Sequence, residues 1–154
     1  MVHVKNAAKK GADFERKVLA HLAGERKNSL DIGWIGTTLL AKVGKGYRDS
    51  FFTHVTIAGS RFAGSKGTGG VDLVIVISQF ANPEKKTVKN QWVIGVQCKW
   101  DKPHPKQIAD DMTEMLREGG VIPMYCWNER GKVVIYAEDK WERLLTRIAG
   151  WCIV

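Results

Sequence analysis

Apolar positions recur at helical spacing between residues 11 and about 23. Phe14, Val18 and Leu22 follow one another at i, i+4 and i+8, with Leu19 beside them. That spacing predicts an amphipathic helix, and Gly24 supplies its stop. Residues 71–78 read Val-Asp-Leu-Val-Ile-Val-Ile-Ser, and residues 91–100 read Gln-Trp-Val-Ile-Gly-Val-Gln-Cys-Lys-Trp. Near-continuous runs of this length predict strands buried on both faces, separated by a turn at Asn82-Pro83-Glu84-Lys85-Lys86. Residues 51–57 predict another strand. Ile108, Met112, Met115 and Leu116 form a second helical stripe, closed by Gly119-Gly120. Residues 121–127 and 132–137 predict two strands joined through Asn128-Glu129-Arg130-Gly131. Asp139, with Glu142 three residues on, resembles a capping box that opens a last helix through Ile148.

Two stretches resist this reading. Residues 25–50 mix Gly33, Gly36, Gly44 and Gly46 with apolar patches such as Trp34-Ile35 and Leu39-Leu40. Residues 58–70 hold so much Gly and Ser that they predict a mobile loop, one that carries Arg61 and Lys66 and so suits phosphate contact. No internal repeat and no linker interrupts the order of helix, strands, helix, strands, helix. The expected fold class is α/β, one domain over residues 1–154, with a central mixed β-sheet flanked by helices.

Composition narrows the class. The 154 residues are 44% hydrophobic and 26% charged, which excludes whole-chain disorder and low-complexity structure. A chain of this length buries enough surface to fold without staples. No apolar run reaches the ~20 residues of a membrane span. Met1-Val2-His3-Val4-Lys5-Asn6 lacks the apolar core of a signal peptide, so a cytoplasmic protein is expected, in the host cytoplasm if the source is viral. Cys98, Cys126 and Cys152 are odd in number and widely spaced, which suits small buried residues rather than a zinc ribbon or redox pair. Lys and Arg total 24 against 16 Asp and Glu, a net charge of +8. The excess is uneven: residues 1–66 hold 12 basic and 5 acidic side chains, a net of +7. A basic half suits a polyanion, nucleic acid before membrane, or simply a solubilising surface.

Three polar residues stand where apolar ones are expected. Asp72 opens one buried run, and Gln97 and Lys99 close the next. Gln97 and Lys99 are two apart, so in a strand they share a face. If the two strands pair as a hairpin, Asp72 falls beside them at one sheet edge. Glu15 sits on or beside the inward face of the first helix and can join from there. A carboxylate, an amide oxygen and a backbone carbonyl suit a hard divalent cation such as Mg²⁺, which polarises a phosphate and acidifies a bound water. An ammonium beside it offsets charge developing on the phosphate. The reaction implied is metal-assisted phosphodiester hydrolysis. The plainer alternative is a buried Asp72–Lys99 ion pair with Gln97 satisfying a backbone group, although desolvation cancels most of what such a pair gains.

These residues also carry a resemblance. Asp72 followed 25 residues later by Gln97-Cys98-Lys99 resembles the metal-binding signature of the PD-(D/E)xK nuclease superfamily. Within it, the chain is similar to the archaeal and phage Holliday junction resolvases. The matching pieces are Gly11-Ala12-Asp13-Phe14-Glu15-Arg16, then Arg61-Phe62-Ala63-Gly64-Ser65, then Asp72-Leu73-Val74-Ile75-Val76 and Val96-Gln97-Cys98-Lys99. The likeness spans about residues 8–137.

It implies a restriction-endonuclease-like domain and a homodimer that cuts a four-way DNA junction at paired sites, in recombination and repair. By the same resemblance Glu15, Asp72 and Gln97 would hold Mg²⁺, or Mn²⁺ in its place, with the Cys98 backbone carbonyl. Lys99 would be the catalytic lysine. Arg16, Arg61 and Ser65 would touch DNA phosphates or the active site, and Lys66 would add to the DNA contact. Alternatives are another DNA endonuclease of this superfamily, for repair, flap or restriction work, and a basic DNA-binding module without chemistry. The chain departs from the pattern in three ways. Val71 replaces the usual Pro, Gln97 replaces the usual Glu and removes a negative charge, and residues 25–60 are longer than the family needs, as an insertion would make them. His54 and His104 stand outside any motif and suit surface or structural roles. Trp92, Trp100, Trp127 and Trp141 suit core or dimer interface better than base stacking. Neither P-loop, GxGxxG nor GxSxG occurs, so no nucleotide cofactor or acyl chemistry is expected.

Overall fold

The structure is a computed structural model that describes residues 2–25, 31–43, 52–61, 70–136 and 138–153. The chain is a mixed α/β protein. Its elements run α1 (Val2–Ala23), α2 (Gly33–Val43), β1 (Val55–Arg61), β2 (Leu73–Asn82), β3 (Thr87–Lys99), α3 (Pro105–Arg117), β4 (Ile122–Glu129), β5 (Lys132–Ile135) and α4 (Glu138–Ile153). The five strands form one sheet in sequence order. β1–β2, β2–β3 and β4–β5 pair antiparallel, while β3–β4 pair parallel, with α3 as the crossover between them.

The sheet is covered on both faces, which is why β2 and β3 read as continuous apolar runs. On one face Phe14, Val18 and Leu22 of α1, Ile35 and Leu39 of α2, and Trp141, Leu145 and Ile148 of α4 meet Leu73, Ile75, Ile77, Ile94 and Val96. On the other face Ile108 and Met115 of α3 meet Val71, Val121, Tyr125 and Trp127. Burial of each large aliphatic side chain contributes on the order of 1.5–3 kcal/mol, so the first face supplies most of the stabilisation.

Several expectations hold and others shift. The hairpin turn forms at Pro83 to Lys86, where Asn82 Oδ1 accepts from the backbone N–H of Glu84 and Lys85. Gly24 ends α1 at φ +84°, and a Cβ there would stand 2.3 Å from the Asp31 carbonyl oxygen. α1 begins well before residue 11. Residues 25–50, unreadable in the sequence, contain α2, whose Ile35, Gly36, Leu39 and Leu40 are buried. α4 starts at Glu138, so Asp139 lies inside the helix and is no N-cap. Leu116 is 59% exposed, because the inward stripe of α3 runs through Ile108, Met112 and Met115 instead. His104 has a structural role: it caps α3, its Nδ1 accepting from Lys106 N at 3.2 Å ahead of Pro105. Among the described residues no helix is long and apolar enough to cross a membrane.

Candidate active site

The antiparallel register of β2 and β3 brings the polar anomalies together. Leu73 lies opposite Val96, and Asp72 N–H donates to the Val96 carbonyl at 2.9 Å. The ladder ends at that pair, and because the Asp72 N–H bonds to Val96 and not to Gln97, Asp72 lies at the strand end outside the register. Asp72 itself lies in the bend just before β2. Its carboxylate turns along the strand end, and Oδ2 accepts from Cys98 N–H at 2.8 Å. Lys99 is the last residue of β3.

Asp72 and Lys99 form no direct ion pair; the ammonium acts on the carboxylate at longer range. The buried-ion-pair alternative is therefore not what the residues do. Among the described residues, neither the Gln97 amide nor the Lys99 ammonium spends itself on a hydrogen bond.

Gly70 makes room for Gln97. It adopts φ +79°, and a Cβ there would fall 2.7 Å from Gln97 Oε1. The position needs glycine for its backbone angle and for the approach of the amide oxygen.

Glu15 reaches the same strand end from the opposite layer. Its neighbours Phe14 and Val18 belong to the α1 face of the core, whereas Gln97 lies on the α3 face. Glu15 Oε2 is buried and has no hydrogen-bond partner among the described residues. Burial raises the Glu15 pKa above the usual carboxylate range; the Asp72 charge raises it further, and Arg61 and Arg16 oppose both. Asp72 is also raised, chiefly by burial. The Cys98 N–H and Lys99 pull it down, and Asp111 pushes it up. Both acids are thus held in a setting that penalises their charge, which is where a cation finds a use.

The remaining predicted residues divide. Arg61 ends β1 directly opposite Leu73, beside the acids, and its charge acts on Glu15. Arg16 is exposed and pairs with Asp13 at 3.0 Å; a pair of this kind contributes little. Ser65 and Lys66 lie outside the described residues. Cys98 is half-buried and its thiol is pushed far up by burial, so it offers the site its backbone rather than a thiolate.

Two neighbours escaped the sequence reading. Tyr125 lies beside Gln97 in the parallel β3–β4 register, and its hydroxyl donates to Asp111 Oδ2 at 3.0 Å. Asp111 sits on α3, one residue before Met112. Its charge acts on Asp72, and burial together with that hydrogen bond raises the Tyr125 pKa. A signal was present: a Tyr in a buried strand needs a partner for its hydroxyl, and Asp111 lies three residues from Ile108.

A metal ion is implied here only by the sequence resemblance. The residues fit one in chemistry: two carboxylates, an amide oxygen and a carbonyl are all hard oxygen donors. The orphaned Glu15 Oε2 has the buried, unsatisfied character that a cation relieves. The set is lean in charge, and among the described residues no three His, Cys, Asp or Glu side chains gather as a metal cluster. No family model matches the chain, and it has no significant match among curated proteins or solved structures.

Proposed function

We propose that the protein is a metal-dependent, structure-selective endodeoxyribonuclease with a restriction-endonuclease-like domain. Its substrate in this reading is the four-way DNA junction, cut at paired phosphodiesters by a homodimer. One observation carries the proposal: Asp72 bonds to the backbone of Val96 and Cys98, the residues on either side of Gln97, at a strand end where the charges of Lys99 and Glu15 also reach it.

Glu15, Asp72, Gln97 and the Cys98 carbonyl would hold Mg²⁺ or Mn²⁺, which when bound polarises the scissile phosphate and acidifies a water. The chain's own residues do the rest. Asp72 is fixed by the Cys98 N–H, so its carboxylate keeps one orientation. Lys99 places an ammonium beside the phosphate and offsets the charge that develops during attack. Arg61 places a second cation at the same edge, on the strand next to β2. The basic excess of residues 1–66 attracts DNA through its backbone, in keeping with recognition of junction shape rather than base sequence.

A second reading has its own support. Gln97 in place of an acid, and the lean charge of the donor set, favour a basic DNA-binding module without chemistry. A gel that compares a four-way junction with linear, nicked and flapped duplex, with and without Mg²⁺ or Mn²⁺, separates the readings. Paired symmetric cuts on the junction are expected. Cuts in linear or flapped duplex would redirect the proposal to a repair, flap or restriction enzyme. Salt-sensitive binding with no cutting under either metal would replace it with the binding module.

A further inference from the structure

A second feature lies next to these carboxylates. Trp100 follows Lys99 directly, yet it is no core residue: its side chain is 40% exposed. It stands in an open cleft of about 370 Å³ between α1, the end of β3 and the β4–β5 turn, with Lys9, Lys10, Phe14, Lys17 and Asn128 among the lining residues. Phe14 meets the indole edge to face, with centroids 5.7 Å apart and planes at 84°. Lys10 Nζ lies 4.1 Å from the ring centroid. Lys17 Nζ donates to the Gly131 carbonyl, which ties α1 to the β4–β5 turn and fixes the far wall. The acid on the rim, Asp13, is already paired with Arg16.

We infer that this cleft binds an unpaired nucleotide of DNA, its base on the Trp100 ring and its phosphate on Lys10 and Lys9. The inference rests on the reading of the adjacent carboxylates as a DNA-cutting site. An exposed aromatic ring framed by amines matches the two surfaces of a nucleotide, one flat and apolar, the other anionic. The indole is held in place by Phe14, so little ordering is required when a base arrives. Lys10 occupies a ring face in the free protein. An exposed cation–π contact is weaker than base stacking, so a base displaces the amine, and the amine then pairs with the phosphate of the same nucleotide. Phe14 precedes Glu15 and Trp100 follows Lys99, so the cleft opens on the α1 side of the same strand end, with Glu15, Asp72 and Gln97 outside its lining. At a branch point a base pair has lost part of its stacking, so a nucleotide leaves it at lower cost than it leaves intact duplex.

The test is binding alone, in a chelator, measured by fluorescence anisotropy. The probes are a short labelled oligothymidylate and its abasic counterpart, which has the same phosphates and no bases. The unaltered protein is expected to bind the base-bearing strand about tenfold more tightly, a difference of about 1.4 kcal/mol. Trp100→Ala should remove that preference and leave abasic affinity within about twofold, while Trp100→Phe retains most of it. Lys10→Ala should weaken both probes and reduce the salt slope by about 0.7. Equal binding of the two probes by the unaltered protein would overturn the inference, and that comparison needs no variant to fold. An equal loss on both probes in Trp100→Ala would overturn it as well. Because no cutting is read, failure of the nuclease reading appears separately, as intact junctions in the presence of metal.

Discussion

The β2–β3 hairpin carries polar residues at both ends, and the two ends treat them differently. Near the turn, Ser78 and Gln79 are buried, at 7% and 4% exposure. Each finds its partner across the ladder. Gln91 Nε2 donates to Ser78 Oγ at 3.2 Å, and Asn90 Nδ2 donates to Gln79 Oε1 at 2.8 Å. These are register pairs, so the groups use one another's hydrogen-bonding capacity and the polarity ends there. At the open end, Asp72, Gln97 and Lys99 lie beyond the last register pair, and no hydrogen bond or ion pair joins their side chains. A carboxylate oxygen of Glu15 is left without a partner among the described residues, and two acids are raised by burial. Polar residues within an apolar sheet are structural when they satisfy one another. They mark a site when their capacity is held open toward a shared space.

Substitutions at the two ends sharpen the contrast. Removing the ammonium should have a large effect: Lys99→Ala is expected to slow junction cutting by roughly 10²–10³-fold with junction affinity nearly unchanged, as a rate assay beside a mobility shift would reveal. Gln97→Glu restores a negative charge and should tighten Mg²⁺ on the order of tenfold, read as a lower metal concentration for half-maximal cutting.

Asp72→Asn probes the electrostatic cost without metal. The raised pKa means that the unfolded chain releases this proton first, at about pH 4. Stability of the unaltered protein therefore falls as pH rises from there to the folded-state value, and the cost persists above it. The substituted amide carries no such cost, and its oxygen can still accept from Cys98 N–H. The variant should melt higher at neutral pH in a chelator, and its advantage should vanish on acidification. Saturating Mg²⁺ should reverse the order, since only the unaltered site binds the ion well. At the turn end, Gln79→Ala should cost about 1–2 kcal/mol in denaturant melts through the stranded Asn90 amide, with cutting unaffected.

Much of the architecture was legible because apolar runs dictate it. β2, β3 and the inward stripe of α1 follow from pattern alone, and so does the meeting of Asp72 with Gln97 and Lys99 once the strands pair. α2 was not legible: Gly33, Gly36 and two threonines are poor helix formers, and the helix is made by burying Ile35, Leu39 and Leu40 against α1 and α4. Trp100 was expected in the core or a dimer interface, but β3 ends one residue earlier and the ring turns to solvent. Asp111 drew no notice in the sequence, since its role depends on which edge of α3 faces Tyr125. Glu15 was expected to join the others at one edge, and it does so from the opposite layer, which sequence periodicity does not encode.

The most direct test is junction cleavage by the unaltered protein and by Asp72→Asn across a Mg²⁺ titration, at a protein concentration that saturates the DNA. The account predicts paired strand cuts that require the metal, and their loss in the variant with the complex still formed. Cutting that proceeds equally well in the variant, or without any divalent ion, would contradict it.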